Sequence, residues 1–266
     1  MSTTDNPHGE PAPVTHLVGD DGVAVITIDR PRRRNALNLD VKRRLVDAVT
    51  ALEADERVRV IVLTGAGGYF VAGTDIDEMA SMTPTSHTLG ATDQVFTTLR
   101  NCGKTIIAAV EGYALGGGCE LALACDLVVA AEGARFGQPE IRVGIMPGAG
   151  GTQRLLRTIG KYQALRMMLT GEPVGAKEAF ANGMVSVLCP DGAALERACA
   201  TARTIAAMPP LAVRAIREVV RQGQDAPLDT ALLLERKAFQ LLFDSADQKE
   251  GMAAFLEKRA PRYQGR

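Results

Sequence analysis

Histidine is almost missing from this 266-residue chain: there are three, His8 and His16 in the polar leading segment and His87 in a Ser/Thr-rich stretch. A zinc site or a His-driven nucleophilic triad therefore has too few partners. The five cysteines (Cys102, Cys119, Cys125, Cys189 and Cys199) are odd in number and form no C-x-x-C pair. Several lie in apolar stretches, where a free thiol behaves as a small hydrophobe, so neither a disulfide framework nor a metal cluster is expected. No apolar run approaches the ~18 residues that a bilayer crossing needs: residues 106–110 stop at Glu111 and residues 121–125 at Asp126. The first sixteen residues have no apolar central stretch, so no secretory signal and a cytoplasmic location are expected. Charge is balanced too, 30 Lys+Arg against 31 Asp+Glu, a net of −1. If the chain is an enzyme, carboxylates and backbone dipoles carry the chemistry.

The hydrophobic share is 46% and the charged share 23%, ordinary globular values that exclude a wholly disordered chain. Residues 1–15 read as a flexible tail. Val23-Ala24-Val25-Ile26-Thr27-Ile28 reads as a strand ended by Pro31, and Asn38 or Asp40 caps a helix with Val41, Leu45, Val49 and Leu52 on one face. Further apolar strands are expected at residues 60–63, 105–110 and 127–131. Continuous apolar strands separated by helices predict β-α units with a sheet covered on both faces. From about Gly150 the spacing turns helical, over 151–158, 161–169, 176–182, 191–208, 210–222, 227–243 and 246–258, with one short strand near residues 185–188. Pro209-Pro210 breaks two of these helices apart.

Three stretches can carry chemistry. Gly112-Tyr113-Ala114-Leu115-Gly116-Gly117-Gly118-Cys119-Glu120-Leu121 follows a strand and opens a helix. Its glycines let the backbone approach a ligand, and the helix start offers free N–H groups to a phosphate or an oxyanion. Neither G-x-G-x-x-G nor G-K-[ST] is present, and the glycines could equally serve tight packing alone. Glu120 lies among Cys119, Leu121, Ala122 and Leu123, and burial of that kind raises a carboxyl toward a useful acid/base range. Gly137-Gln138-Pro139-Glu140 sets a second carboxyl in a turn. The two acids can share one water if they meet; spacing does not distinguish that from two unrelated charges. Ala72-Gly73-Thr74-Asp75-Ile76 is a second glycine turn, either half of an oxyanion hole or simply a pair of cap residues.

These stretches, with Ile28-Asp29-Arg30-Pro31, Asn35-Ala36-Leu37-Asn38, Pro147-Gly148-Ala149-Gly150-Gly151-Thr152-Gln153-Arg154 and Phe255-Leu256-Glu257-Lys258-Arg259, resemble the enoyl-CoA hydratase/isomerase (crotonase) family over residues 20–260. The resemblance implies an α/β fold: a crotonase-type spiral of β-β-α turns over residues 16–200. It also implies a C-terminal helical region, 201–266, that builds trimers or paired trimers (hexamers). It implies Thr74 and Gly117 as backbone donors to an acyl thioester oxygen, Glu120 as the group that activates water, and Glu140 as the proton donor to C2. It also implies CoA or substrate contacts from Arg34, Ala36, Ala72, Asp75, Ile76, Asp77 and Gly116. Coenzyme A is then part of the substrate, and no metal or redox cofactor is expected.

Thr74 departs from the alanine common in hydratases, although its backbone donor survives the change. Glutamate at both acidic positions favours hydration over isomerisation of a 3-enoyl-CoA or decarboxylation. The chain's end also resembles hydratases of phenylacetate breakdown, which act on dicarboxylic or ring-derived enoyl-CoAs; short-chain fatty-acid β-oxidation fits as well. Met79, Met82 and residues 83–91 are expected to wall the acyl pocket. The basic run Arg30, Arg32, Arg33, Arg34, Lys42, Arg43 and Arg44 reads as a CoA phosphate site or a solvated face. RNA binding is a separate reading, which 4% aromatics and a balanced charge disfavour. A non-catalytic acyl-CoA binder is another.

Overall fold

Each long apolar strand is followed by a short step into a second layer and then by a helix, and this unit repeats. The structure, a computed structural model, describes residues 12–266. The chain begins with β1 (Val14–Val18) and β2 (Val23–Ile28), followed by α1 (Leu39–Ala54) and β3 (Val60–Gly65). Three short helices come next, α2 (Ile76–Met79), α3 (Pro84–Leu89) and α4 (Gln94–Asn101). β4 (Thr105–Val110), β5 (Tyr113–Leu115), α5 (Gly117–Ala124), β6 (Leu127–Ala131) and β7 (Arg135–Gly137) form the centre. α6 (Gly151–Thr170), β8 (Val174–Gly175), α7 (Ala176–Ala181) and β9 (Val187–Cys189) follow. The chain closes with α8 (Ala194–Ala206), α9 (Pro210–Gly223), α10 (Leu228–Leu242) and α11 (Ala246–Leu256).

The main sheet has the order β1-β2-β3-β4-β6-β9, parallel except where β1 pairs with β2. The second layer joins β5 to β7 in parallel and extends through single parallel bridges, Val71 to Ala114 and Leu37 to Thr74. Thus β2, β3, β4 and β6 each feed a second-layer segment (Leu37, Val71, β5 and β7) before the next helix. That succession is the expected spiral of β-β-α turns.

Alternation along the strands explains why they read as unbroken apolar runs. Ile61, Leu63, Ile106, Ala108, Val128 and Ala130 face a core shared with α1 and α4, where Val41, Leu45, Val95, Phe96 and Leu99 are buried. Val60, Val62, Ile107, Ala109, Val129 and Ala131 face the other side, closed by Ala194, Ala198 and Ala202 of α8. Because α8 covers that second face, the core extends past residue 200 to the Pro209-Pro210 break. At the other end, β1 takes Val14 and Thr15 out of the segment read as tail; the remainder of that segment up to residue 11 lies outside the described residues.

Helix positions follow the sequence reading closely. Asn38 caps α1, its side chain accepting from the Val41 amide at 2.9 Å, and Gly160, at φ 76°, divides α6 where two helices were expected. The strand expected at 185–188 is β9, at Val187–Cys189. The reading places no helix at 94–101, yet α4 forms there and buries Val95, Phe96 and Leu99. α9, α10 and α11 leave large apolar side chains in solvent, among them Leu228 (71% exposed) and Phe255 (84%).

Where α5 meets the second layer, a methyl on Gly118 would lie 2.0 Å from the Val71 carbonyl oxygen, a backbone atom that cannot turn aside. Gly118→Ala is therefore expected to lower the free energy of unfolding by about 1–3 kcal/mol or more. Gly148→Ala, where no atom lies within 4 Å of the added carbon, should stay within about 0.5 kcal/mol. Denaturant titrations of both variants check the contrast.

Candidate active site

Parallel pairing sets up the first half of the site. The bridge between Leu37 and Thr74 uses the Leu37 amide, donating to the Gly73 carbonyl, and the Asp75 amide, donating to the Leu37 carbonyl, both at 2.9 Å. The intervening Thr74 amide points away from the ladder and meets no backbone acceptor among the described residues. Gly117 opens α5, so its amide has no carbonyl of its own helix to bond. The two amides come together: a methyl placed on Gly117 would lie 3.6 Å from the Thr74 nitrogen and 2.7 Å from its hydroxyl oxygen. Gly116, at φ 50° and ψ −125°, makes the turn that brings them there, in a backbone conformation reserved for glycine. Two free N–H groups at one spot can hold a carbonyl oxygen as it gains charge.

Glu120 lies one turn into α5 and is only 3% exposed. Its Oε1 accepts from the Ala149 and Gly151 amides at 2.7 and 2.8 Å. Those donors stand at the start of α6, where unpaired N–H groups and the helix dipole favour an anion. Buried carboxylates need such partners. Oε2 has no donor among the described residues and is left for a water or a substrate.

Glu140 follows β7 in a short 3-10 turn, Pro139–Val143. A methyl on Gly116 would lie 3.1 Å from its Oε1, so this carboxyl abuts the glycine turn. Gln138, fully buried, sets its side-chain amide against Glu140; assigning the amide nitrogen to that side, which satisfies both groups, lets it donate to both Glu140 oxygens, at 2.9 and 3.2 Å. Burial pushes the Glu140 pKa up to about 7; its own backbone amide opposes the shift, and the nearby Glu120 charge adds to it. The two acids are therefore near enough to feel each other's charge, one fixed by two amides and the other holding its proton near neutrality. A group pair of this kind can take a proton on one side and give one on the other.

The remaining expected contacts divide. The Arg34 carbonyl accepts from the Ala72 amide at 3.0 Å, and the Ala36 carbonyl from Arg30 Nη1 at 2.6 Å, so the 34–37 and 72–75 segments run together beside the Thr74 amide. Arg34 itself is exposed and Ile76 is 54% exposed. Asp75 does not act as a cap: its carboxylate pairs with Arg30 at 3.2 Å and fixes the turn from within. Asp77 pairs with Arg33 at 2.8 Å in solvent. Gln138 and the Ala149 and Gly151 amides were not singled out as site groups, although the paired glycines before α6 mark a helix start with donors to spare.

The model of the enoyl-CoA hydratase/isomerase family matches residues 19–266. The 2,3-dehydroadipyl-CoA hydratase of Escherichia coli is 46% identical over 244 residues, 92% of this chain and 96% of that protein. The crotonyl-CoA hydratase of Syntrophomonas wolfei is 43% identical over 246 residues, covering 91% and 95%. A solved enoyl-CoA hydratase subunit of Geobacillus kaustophilus superposes with a TM-score of 0.92 at 46% identity, over 96% of this chain and 98% of that one.

The Glu140 shift has a thermodynamic consequence. Its pKa is raised on folding, so the folded state binds the proton more tightly and this group's contribution to stability falls as pH rises from about 4.5 to about 7. Glu140→Gln lacks that contribution. Denaturation midpoints between pH 5 and 8 should therefore decline more steeply in the wild type than in the variant.

Proposed function

The chain belongs to the enoyl-CoA hydratase/isomerase (crotonase) family, and we propose that it adds water reversibly across the 2,3 double bond of a 2-enoyl-CoA to give a 3-hydroxyacyl-CoA. The observation that carries this reading is the meeting of two free amides, Thr74 and Gly117, with two differently held acids. Curated relatives named as hydratases support it.

The thioester oxygen accepts hydrogen bonds from the Thr74 and Gly117 amides, which draws electrons from the conjugated double bond and leaves C3 electrophilic. Glu120, held and oriented by the Ala149 and Gly151 amides, takes a proton from a water molecule whose oxygen bonds to C3. Charge gathers on the thioester oxygen in an enolate-like state, where each donor is worth about 3 kcal/mol. Glu140 then gives its proton to C2, and the two carboxyls return to their starting states by proton exchange. The reverse path is dehydration. Protein acids and amides suffice for every step, so we propose no metal or redox cofactor. Arg32 and Arg34, both exposed at the mouth of the Arg34–Ala72 pairing, supply cations for the CoA phosphates.

The exposed apolar side chains of α10 and α11 fit self-association, and we propose a trimer or a pair of trimers in the cytoplasm. Among the described residues no helix is long and apolar enough to cross a membrane.

Crotonyl-CoA hydration, followed by loss of enoyl absorbance, tests the reading. Glu120→Gln and Glu140→Gln should each lower kcat by about 100-fold or more; unaltered rates, or turnover of a 3-enoyl-CoA in preference, would refute hydration. Light scattering should give a mass of three or six chains, and a stable monomer at micromolar concentration would remove the assembly.

A further inference from the structure

Secondary structure leaves the two amides of the site free, and beside them stands a donor that belongs to a side chain. Thr74 is half-buried. Among the described residues its hydroxyl pairs with no other group, and α2, the helix that follows, carries no side-chain cap. Nor is the hydroxyl sealed inside. The buried side-chain atoms left without a partner among the described residues are Thr105 Oγ1, Arg217 Nε, Arg221 Nε and Gln248 Oε1, and Thr74 is not one of them. Its oxygen is unpaired and accessible.

Two constraints fix where that oxygen lies. A threonine oxygen stands no farther than about 4 Å from its own backbone nitrogen, whatever the rotamer. The Thr74 hydroxyl therefore stays beside the Thr74 amide. It also leans toward the second donor: a methyl built on Gly117 would lie 2.7 Å from the hydroxyl oxygen, nearer than the 3.6 Å to the Thr74 nitrogen. Any side chain at position 117 would meet the hydroxyl, and glycine leaves it uncovered. An acyl oxygen held by both amides lies about 3 Å from each nitrogen, within the same few ångströms. The acceptors next to Thr74 are engaged elsewhere. The Gly73 carbonyl takes the Leu37 amide at 2.9 Å, and the Asp75 carboxylate pairs with Arg30 at 3.2 Å.

Resting on the hydratase reading, we propose that the Thr74 hydroxyl is a third donor to the thioester oxygen, a catalytic group distinct from the amide of the same residue. An O–H approaches its acceptor more closely than an N–H, to about 2.7 Å. A hydrogen bond to a charged acceptor is also about twice as strong as one to a neutral acceptor. The thioester oxygen is neutral in the bound substrate and gathers charge only in the enolate-like state. The added bond therefore favours that state over the ground state and raises kcat, with little effect on KM. The other part a threonine can play here is shape, with its branched side chain merely narrowing the pocket.

Three variants separate donor from shape, and none removes the backbone amide. Thr74→Ala deletes oxygen and methyl, Thr74→Ser keeps the oxygen, and Thr74→Val keeps the bulk. With crotonyl-CoA, Thr74→Ala and Thr74→Val should each lose about tenfold in kcat, and Thr74→Ser should recover most of that. KM should stay within about twofold throughout. Bound 2,4-hexadienoyl-CoA supplies a second readout, because its absorbance moves to longer wavelength as the carbonyl is polarised. That shift should shrink in Thr74→Ala and Thr74→Val and return in Thr74→Ser. Thr74→Val with the kcat and the shift of the wild type, or Thr74→Ala with both, overturns the proposal while leaving hydration intact. A wild type that does not hydrate crotonyl-CoA overturns the hydratase reading and this proposal with it.

Discussion

One buried carboxylate ties the site together. Glu120 belongs to α5, and the amides that hold it belong to Ala149 and Gly151, where α6 begins. That bond pair closes the long excursion through β6, β7 and the Glu140 turn back onto the helix that also presents Gly117. A carboxyl group with almost no access to water tolerates few positions, and here the start of α6 fixes one. The loop bearing Glu140 is consequently anchored at both ends. It is held by β7, paired with β5, on one side and by the Glu120 clasp on the other.

The second layer does comparable work for the amides. A parallel bridge consumes alternate N–H groups, so placing Leu37 opposite Thr74 turns the Thr74 amide outward without a special conformation. Gly117 gains a free amide by a different route, as the first residue of a helix. The Val71–Gly118 contact leaves no room for a side chain between the two donors' supports. Two ordinary features of secondary structure thus yield paired donors, and the cost is a set of glycines that cannot be exchanged.

The main sheet was legible because its strands are apolar on both faces, and residues 105–110 and 127–131 coincide with β4 and β6. β5, β7 and β8 were not, since two or three residues carry no periodicity and their pairing is decided by contacts far along the chain. The acids were legible as residue types, and the family resemblance named their roles. What the sequence concealed was their surroundings: the Ala149 and Gly151 amides lie 29 and 31 residues from Glu120. Gln138 stood beside Glu140 in an evident motif without any sign that its amide would turn onto the carboxyl. Asp75 shows the converse, a residue with the look of a helix cap that the fold spends on Arg30.

Burial draws the Glu140 carboxyl up to about 7, so both its protonated and its ionised form lie within reach at neutral pH. In the proposed reaction the first completes addition at C2, and the second is the base that takes that proton back in elimination. Neither direction then waits on an unfavourable ionisation. The balance of flux at neutral pH is left to the concentrations of unsaturated and hydroxylated thioester, and the protein acts as a two-way valve with no bias of its own.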